Sequence, residues 1–447
     1  MKFKSNSIVI PFLSHLVVFF LSLFSFSTVL YEYPLVGGRR FLTQLAFPAS
    51  IFLFLALIFS SYGEFRSKLI AFLKNFFFFI KPFLPFLLCL LLVVLTYSPS
   101  REQFFFKPST FFSYVIFLSF IYATVNWSNI KTFSSELLFV LCSLAIWASF
   151  LLLLLLSWEE KKSLYDLREF LNPWVTTFSR CTSLIAGIVF LGSVYCSNIP
   201  KKIYYLVSGS AGFFLASIIL QTRSVLVCPF LATAILFLVA SLRGISRLRT
   251  LILPLSFTLL AVLLTSTMIS ERIDIGIKEI SSSGDLTAIQ QVIEKVELGK
   301  ALDKNEEVIL SSLNTSMGGR MAAWATAAKI TENHWFLGRG YGNLNNFIDV
   351  KKVFKNSGNF VKHFHSDYLQ AVVVGGLVLL IGMVLSEAWL LLRAVKSKNF
   401  IQLYLILSML FFGLGELAFV DIQTFLIFIS AWTFFSFLQP KIDEFTT

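Results

Sequence analysis

Three side chains with chemistry to offer stand where apolar and polar sequence meet. They are Arg223 in Leu220-Gln221-Thr222-Arg223, Arg320 directly after Gly318-Gly319, and His365 in His363-Phe364-His365-Ser366-Asp367. A guanidinium carries a permanent charge and a fork of donors that matches phosphate oxygens. Arg320 opens a run of strong helix formers, so the spacing predicts a helix start there, with backbone N–H groups and the positive end of the helix dipole turned toward an anion. An imidazole at a polar–apolar boundary is suited to pass a proton near neutral pH. Two arginines and a histidine at one membrane face point to an anionic lipid substrate, with Arg320 suited to its phosphates and His365 placed to assist its reaction. Each residue taken singly also has a plainer reading: Arg223 snorkels to lipid phosphates, Arg320 is a solvated surface arginine, and His365 is a hydrogen-bonded interfacial histidine.

Other constellations carry less. His363-Phe364-His365-Ser366-Asp367 fits an H-x-H-x-D metal pattern, but no further His or Cys follows in ligand spacing, and the Asp-x-Asp pair of many sugar-nucleotide transferases is absent. A metal-free reaction with no cofactor is therefore expected. Gly338-Arg339-Gly340-Tyr341-Gly342 reads as a tight loop, because no strand precedes it as a dinucleotide fingerprint requires. Glu387 and Glu416 fall inside apolar runs, where acids mark proton pathways or bond neighbouring helices.

The elements that must position these residues are membrane helices. Of 447 residues, 56% are hydrophobic and 14% charged, a composition that excludes a soluble globular class. The formal charge of +12 is that of a membrane protein with basic cytoplasmic loops, and nothing points to nucleic acid. Cys89, Cys142, Cys181, Cys196 and Cys228 all lie in or beside apolar runs without a C-x-x-C pair, so they read as core residues. The expected fold class is all-α, a polytopic integral membrane protein with about twelve transmembrane helices. The windows are 8–30, 42–62, 75–97, 109–127, 136–158, 181–197, 203–221, 224–242, 251–269, 367–392, 400–418 and 421–438. Lys81, Pro82 and Pro85 interrupt the third window, so residues 67–80 have a second reading as an interfacial helix before a shorter crossing.

The basic loops Arg243 to Arg249 and Arg393 to Lys398 belong in the cytoplasm. That orientation puts both termini inside and residues 271–364 outside, in the periplasm of a bacterium. The division is then 1–269 for N-terminal membrane helices, 270–365 for one large periplasmic loop containing helices, and 366–447 for C-terminal membrane helices. Within the loop, Leu286, Ile289, Val292, Ile293 and Val296 recur at helical spacing and predict one amphipathic helix over 285–313. A second helix follows, with Arg320 in its first turn.

Four places together resemble the O-antigen ligase family, part of a larger group with O-antigen polymerases and protein O-oligosaccharyltransferases. They are Leu220-Gln221-Thr222-Arg223; Ser316-Met317-Gly318-Gly319-Arg320; His365-Ser366-Asp367-Tyr368-Leu369 followed by Gly375-Gly376; and Gly413-Leu414-Gly415-Glu416. The resemblance spans roughly residues 205–438 and departs at Ser366, where the family often has Asn. It implies a metal-independent, inverting glycosyltransferase of the bacterial inner membrane. Its donor is a glycan on undecaprenyl pyrophosphate and its acceptor is lipid A-core. It further implies that Arg223 and Arg320 bind the pyrophosphate and that His365 is the base, with Gln221, Ser366, His363 and Arg339 as supporting candidates. A polymerase or a protein O-oligosaccharyltransferase shares the same donor site. A non-catalytic lipid-glycan flippase would instead line several spans with polar residues.

Overall fold

The computed structural model describes residues 65–97, 115, 131–160, 175–196, 198–219, 222, 225–242, 274, 285–340, 344, 348–354, 364–415, 418 and 422–437. Among these residues the protein is all-helical, as its composition predicts. The α-helices in chain order are α1 (Phe65–Ile80), α2 (Leu84–Tyr97), α3 (Lys131–Glu160), α4 (Val175–Gly192), α5 (Ile199–Phe214), α6 (Val227–Leu242), α7 (Leu286–Glu297), α8 (Lys304–Ser312), α9 (Ser316–His334), α10 (Val350–Val353), α11 (Asp367–Lys396), α12 (Phe400–Gly415) and α13 (Ile422–Phe437). Among the described residues four stretches are long and apolar enough to cross a bilayer: Leu69–Tyr97, Leu138–Glu159, Val175–Tyr195 and Asp367–Lys396. The expected spans 8–30, 42–62, 109–127 and 251–269 lie outside the described residues, apart from Val115.

Several boundaries differ from the sequence reading, each for a local reason. The prolines do not split the third span. Pro82 sits in a 3-10 turn, Lys81–Phe83, and Pro85 in the first turn of α2. A missing N–H costs no helix bond at such positions, so α1 and α2 continue as one rod. The sixth span begins at Val175, earlier than 181. Thr176, Thr177, Ser179 and Arg180 depress its hydropathy, yet all but Thr176 are buried.

The helix expected over 285–313 is two helices. α7 ends at Glu297 with Leu298 as its C-cap, Gly299 follows at φ 65°, and the Lys300 N–H reaches back to the Lys295 carbonyl. This is a left-handed stop that glycine adopts without strain. α8 then restarts with a capping box between Asp303 and Glu306, which satisfies two backbone donors at once.

Two cores organise the described residues. The larger joins α2 to α6 with α11, α12 and α13. There the Tyr404 hydroxyl donates to the Ser183 carbonyl at 2.7 Å. The second core packs α7, α9 and α10 together with Phe364, Leu369 and Val373, so the apolar stripe of α7 is covered by α9.

The largest departure concerns the apolar stretch that begins at Asp367. α11 breaks at Gly376, which takes φ 60° and ψ −157°. Tyr368 before the break donates to Glu387 after it at 3.3 Å. Nineteen residues of unbroken helix would hold them about 28 Å apart, so residues 367–375 fold back along 377–396. The twenty residues from 377 to 396 are by themselves long enough to span. The window 367–392 is therefore a folded-back half-helix followed by a span.

A broken helix leaves backbone groups unpaired, at several kcal/mol each in an apolar setting (on the order of the transfer cost of an amide). Here residues 335–340 supply partners. Arg339 and Gly340 N–H groups donate to the carbonyls of Val373 and Val374 at 2.8 and 3.0 Å, and Leu377 and Val378 N–H groups donate to Trp335 and Phe336 carbonyls at 2.8 and 3.3 Å. Four backbone hydrogen bonds thus mend the kink from outside the helix. The fit requires glycine on both sides: a Cβ on Gly376 would overlap the Phe336 carbonyl, and one on Gly338, at φ 67°, would overlap the backbone at Val374.

Candidate active site

His365 sits at the head of the folded-back half-helix, half-buried, with a left-handed φ of 52°. That conformation is uncommon outside glycine, His being among the residue types that adopt it more readily, and it is sustained here by the bonds around it. Ser366 is the N-cap of α11, its hydroxyl accepting from the Leu369 N–H at 3.5 Å and donating to the Gly413 carbonyl at 3.0 Å. A hydroxyl has one proton to donate. Ser366 therefore does not donate to the imidazole, and it fixes the turn that carries His365. Asp367, 1% exposed, accepts from the Ala418 N–H at 2.8 Å, and a Cβ on Gly413 would crowd that carboxylate at 3.0 Å. The third and fourth sequence motifs thus meet directly.

Arg320 is half-buried on α9, which packs against α11, and Phe364 beside His365 shares a core with Ala322, Ala323 and Ala325 of α9. It is not in the first turn. α9 starts at Ser316 under a Thr315 cap that accepts from the Gly318 N–H at 3.0 Å, so Arg320 is one turn further in. Thr315 thereby takes up an N–H expected to face an anion. Gly318 makes the sharp passage from α8 to α9 possible, since a Cβ there would overlap the Ser312 carbonyl.

Arg223, Gln221 and His363 lie outside the described residues. Thr222, between two of them, is described: its hydroxyl donates to Ser179 of α4 at 2.8 Å. α5 closes before this segment in a π-helical turn, Leu215–Ile219, a widened geometry common near functional sites.

Thr222 and Ser366 belong to the same end of the bundle. Asn399 at the start of α12 donates to the Phe435 carbonyl, and the Phe435 ring stacks on Phe139, which covers Gly192 at the far end of α4. α12 therefore runs antiparallel to α4 and meets it at Tyr404 and Ser183. Nine further residues, about 13 Å of helix, raise Gly413 to the level of residues 175–179. Tyr97 at the end of α2 joins this end through its hydroxyl, which donates to the Gly338 carbonyl at 2.7 Å. Lys396, Arg393 and Lys81 mark the other end, with Arg393 over the Phe78 ring at 3.8 Å and Lys81 over Trp389 at 5.4 Å.

Sequence reasoning missed three participants. Arg180 is 4% exposed, with Nη2 donating to Thr177 at 3.1 Å, one residue from the Ser179 that holds Thr222. Tyr368 escaped because its bond to Glu387 depends on the fold-back, although Gly375-Gly376 in an apolar run is a signal for a break. Tyr97 lacked any local mark. Arg339 is exposed, and its contribution seen here comes through its backbone N–H.

A helical membrane bundle holding a histidine at the head of a folded-back half-helix, which packs against the helix that bears Arg320, defines a class of integral membrane protein. Residues 208–384 match the family model described as O-Antigen ligase, which supports membership of the O-antigen ligase family. The match supports glycosyltransferase activity of the ligase or polymerase type, and Arg223, Arg320 and His365 all fall inside it. No curated protein matches the chain.

Proposed function

We propose that this protein moves a glycan from undecaprenyl pyrophosphate to a sugar hydroxyl of lipid A-core, at the periplasmic face of a bacterial inner membrane, in lipopolysaccharide biosynthesis. His365 accepts the proton of the acceptor hydroxyl as its oxygen attacks the anomeric carbon. The anomeric C–O bond to the diphosphate breaks, and Arg223 and Arg320 meet the charge that builds on the departing undecaprenyl pyrophosphate. Attack opposite the leaving group inverts the anomeric centre. In this reading the guanidinium charges serve where a metal ion would otherwise be used. About twelve spans, with residues 270–365 between them in the periplasm, would present this end of the bundle to both lipids.

The observation that carries the reading is the His365 turn itself. It is bonded through Ser366 and Asp367 to the end of α12 and packed through Phe364 against the helix that bears Arg320. Deleting the gene in its host and resolving lipopolysaccharide on a gel tests it, with complementation by wild type, Arg320→Ala or His365→Ala. Loss of capped core with lipid-linked glycan retained, and no rescue by either variant, is expected. Core capped with a single repeat would indicate a polymerase, and full rescue by both variants would end the proposed mechanism.

A further inference from the structure

Resting on that reading, we infer that the groove between α7 and α9 is a binding site for an uncharged oligosaccharide, separate from the diphosphate grip. Its walls are Gln290, Glu294 and Glu297 of α7, Lys329 and Asn333 of α9, and Arg339 of the loop that mends the α11 kink, over a floor that includes Ile293 and Ile330.

The formal charges of these walls balance, Glu294 and Glu297 against Lys329 and Arg339. Lys329 pairs with Glu294, and Glu297 accepts from the Asp349 N–H at 3.0 Å. Two acids against two cations favour neither a polyanion nor a cation. Amides and carboxylates beside an apolar floor suit a ligand that both donates and accepts hydrogen bonds and has C–H faces to lay down, which describes a sugar chain. Asn333 is exposed, and its amide can meet a diol with one donor and one acceptor.

Position supports the same ligand. The groove lies along α9 beyond Arg320, from Thr326 to His334. At the rise of an α-helix, Asn333 stands about 20 Å along the axis from Arg320. The groove's far wall, Arg339, is bonded through its backbone to Val373 of the half-helix headed by His365. A glycan attached to, or being received at, the reacting carbon would have this groove within reach.

The test uses full-length protein in proteoliposomes, with lipid-linked glycan extracted from the host and sorted into one-repeat and many-repeat pools. Asn333→Trp fills the groove at an exposed position without touching Arg320 or His365. If the groove holds donor glycan, this variant loses at least tenfold in transfer from the many-repeat pool and stays within twofold of wild type on the one-repeat pool. If it holds acceptor saccharide, KM for the acceptor rises whichever pool is used. Titration calorimetry with each saccharide freed of lipid, donor glycan and acceptor core in turn, should show at least one that binds wild type and not Asn333→Trp, a readout that stands even if transfer has another mechanism. Equal binding of each saccharide by both proteins overturns the inference. Failure of the transferase reading shows separately, as unchanged transfer by Arg320→Ala and His365→Ala.

Discussion

The Tyr368 hydroxyl donates to Glu387 across a break in their own helix, at 3.3 Å, and so fastens the half-helix that carries His365 to the span behind it. Glu387 is 5% exposed, and its second oxygen, Oε1, has no hydrogen-bond partner among the described residues. A carboxyl kept there at a desolvation cost fits a positioning role for the Tyr368 bond.

Breaking that bond should lower turnover more than donor affinity. Glu387→Ala and Tyr368→Phe are each expected to reduce kcat several-fold with little change in KM, while Glu387→Gln, which keeps a carbonyl acceptor, restores most of it. In a double-mutant cycle the coupling should be about 0.6 kcal/mol and under about 2 kcal/mol, the range of interhelical bonds in membranes. Independent effects of the two substitutions would show that the contact does not position the half-helix.

Gly376→Ala should be far more damaging than an ordinary glycine substitution in a membrane helix. The left-handed backbone costs on the order of 1–3 kcal/mol for a residue with a Cβ. That Cβ would also displace the Phe336 carbonyl. Thermal unfolding in detergent should fall by several degrees, and protease access to residues 335–340 should rise. A variant as stable as wild type would contradict the backbone exchange at the kink.

Ser366→Ala removes both the α11 cap and the bond to Gly413. A lost cap costs about 1 kcal/mol, so modest destabilisation is expected together with a clear loss of kcat, because the turn at His365 loses its tether. Ser366→Thr, with the same hydroxyl, should recover stability and part of the rate. Unchanged kcat in Ser366→Ala would show that the tether does not matter to the base.

Acid should loosen α8 before the bundle. The Lys295 ammonium, aided by the Asp303 N–H, holds the Glu306 carboxyl below its ordinary range. A depressed folded value contributes stability above the unfolded pKa of about 4.3 and loses it as pH falls through the folded value. Protection of α8 amides from hydrogen exchange, corrected for intrinsic rates, should therefore fall below that pH, and Glu306→Gln should flatten the dependence.

Much of this was legible in the sequence where one signal dominates. Apolar windows located the helices at 136–158, 224–242, 400–418 and 421–438 to within a few residues, because lipid leaves a chain few alternatives to helix. Gly318 proved to be a close approach to another backbone and Gly413 a close approach to the Asp367 carboxylate, which glycine in a short motif already signals. What stayed hidden was non-local. Hydropathy reads 367–392 as one helix, since the fold-back depends on six residues of a preceding loop supplying the missing hydrogen bonds. Arg180 was lost for the opposite reason: a polar turn inside a buried helix looks, in a hydropathy window, like its end.

The account rests on His365 acting as the base in a site that grips a lipid diphosphate with arginine. The most direct measurement is glycan transfer in proteoliposomes, from purified lipid-linked donor to lipid A-core, alongside donor binding by the same preparations. His365→Ala should lose ~10²-fold or more in transfer while still binding donor, and Arg320→Ala should lose both. Transfer by His365→Ala at the wild-type rate would contradict it.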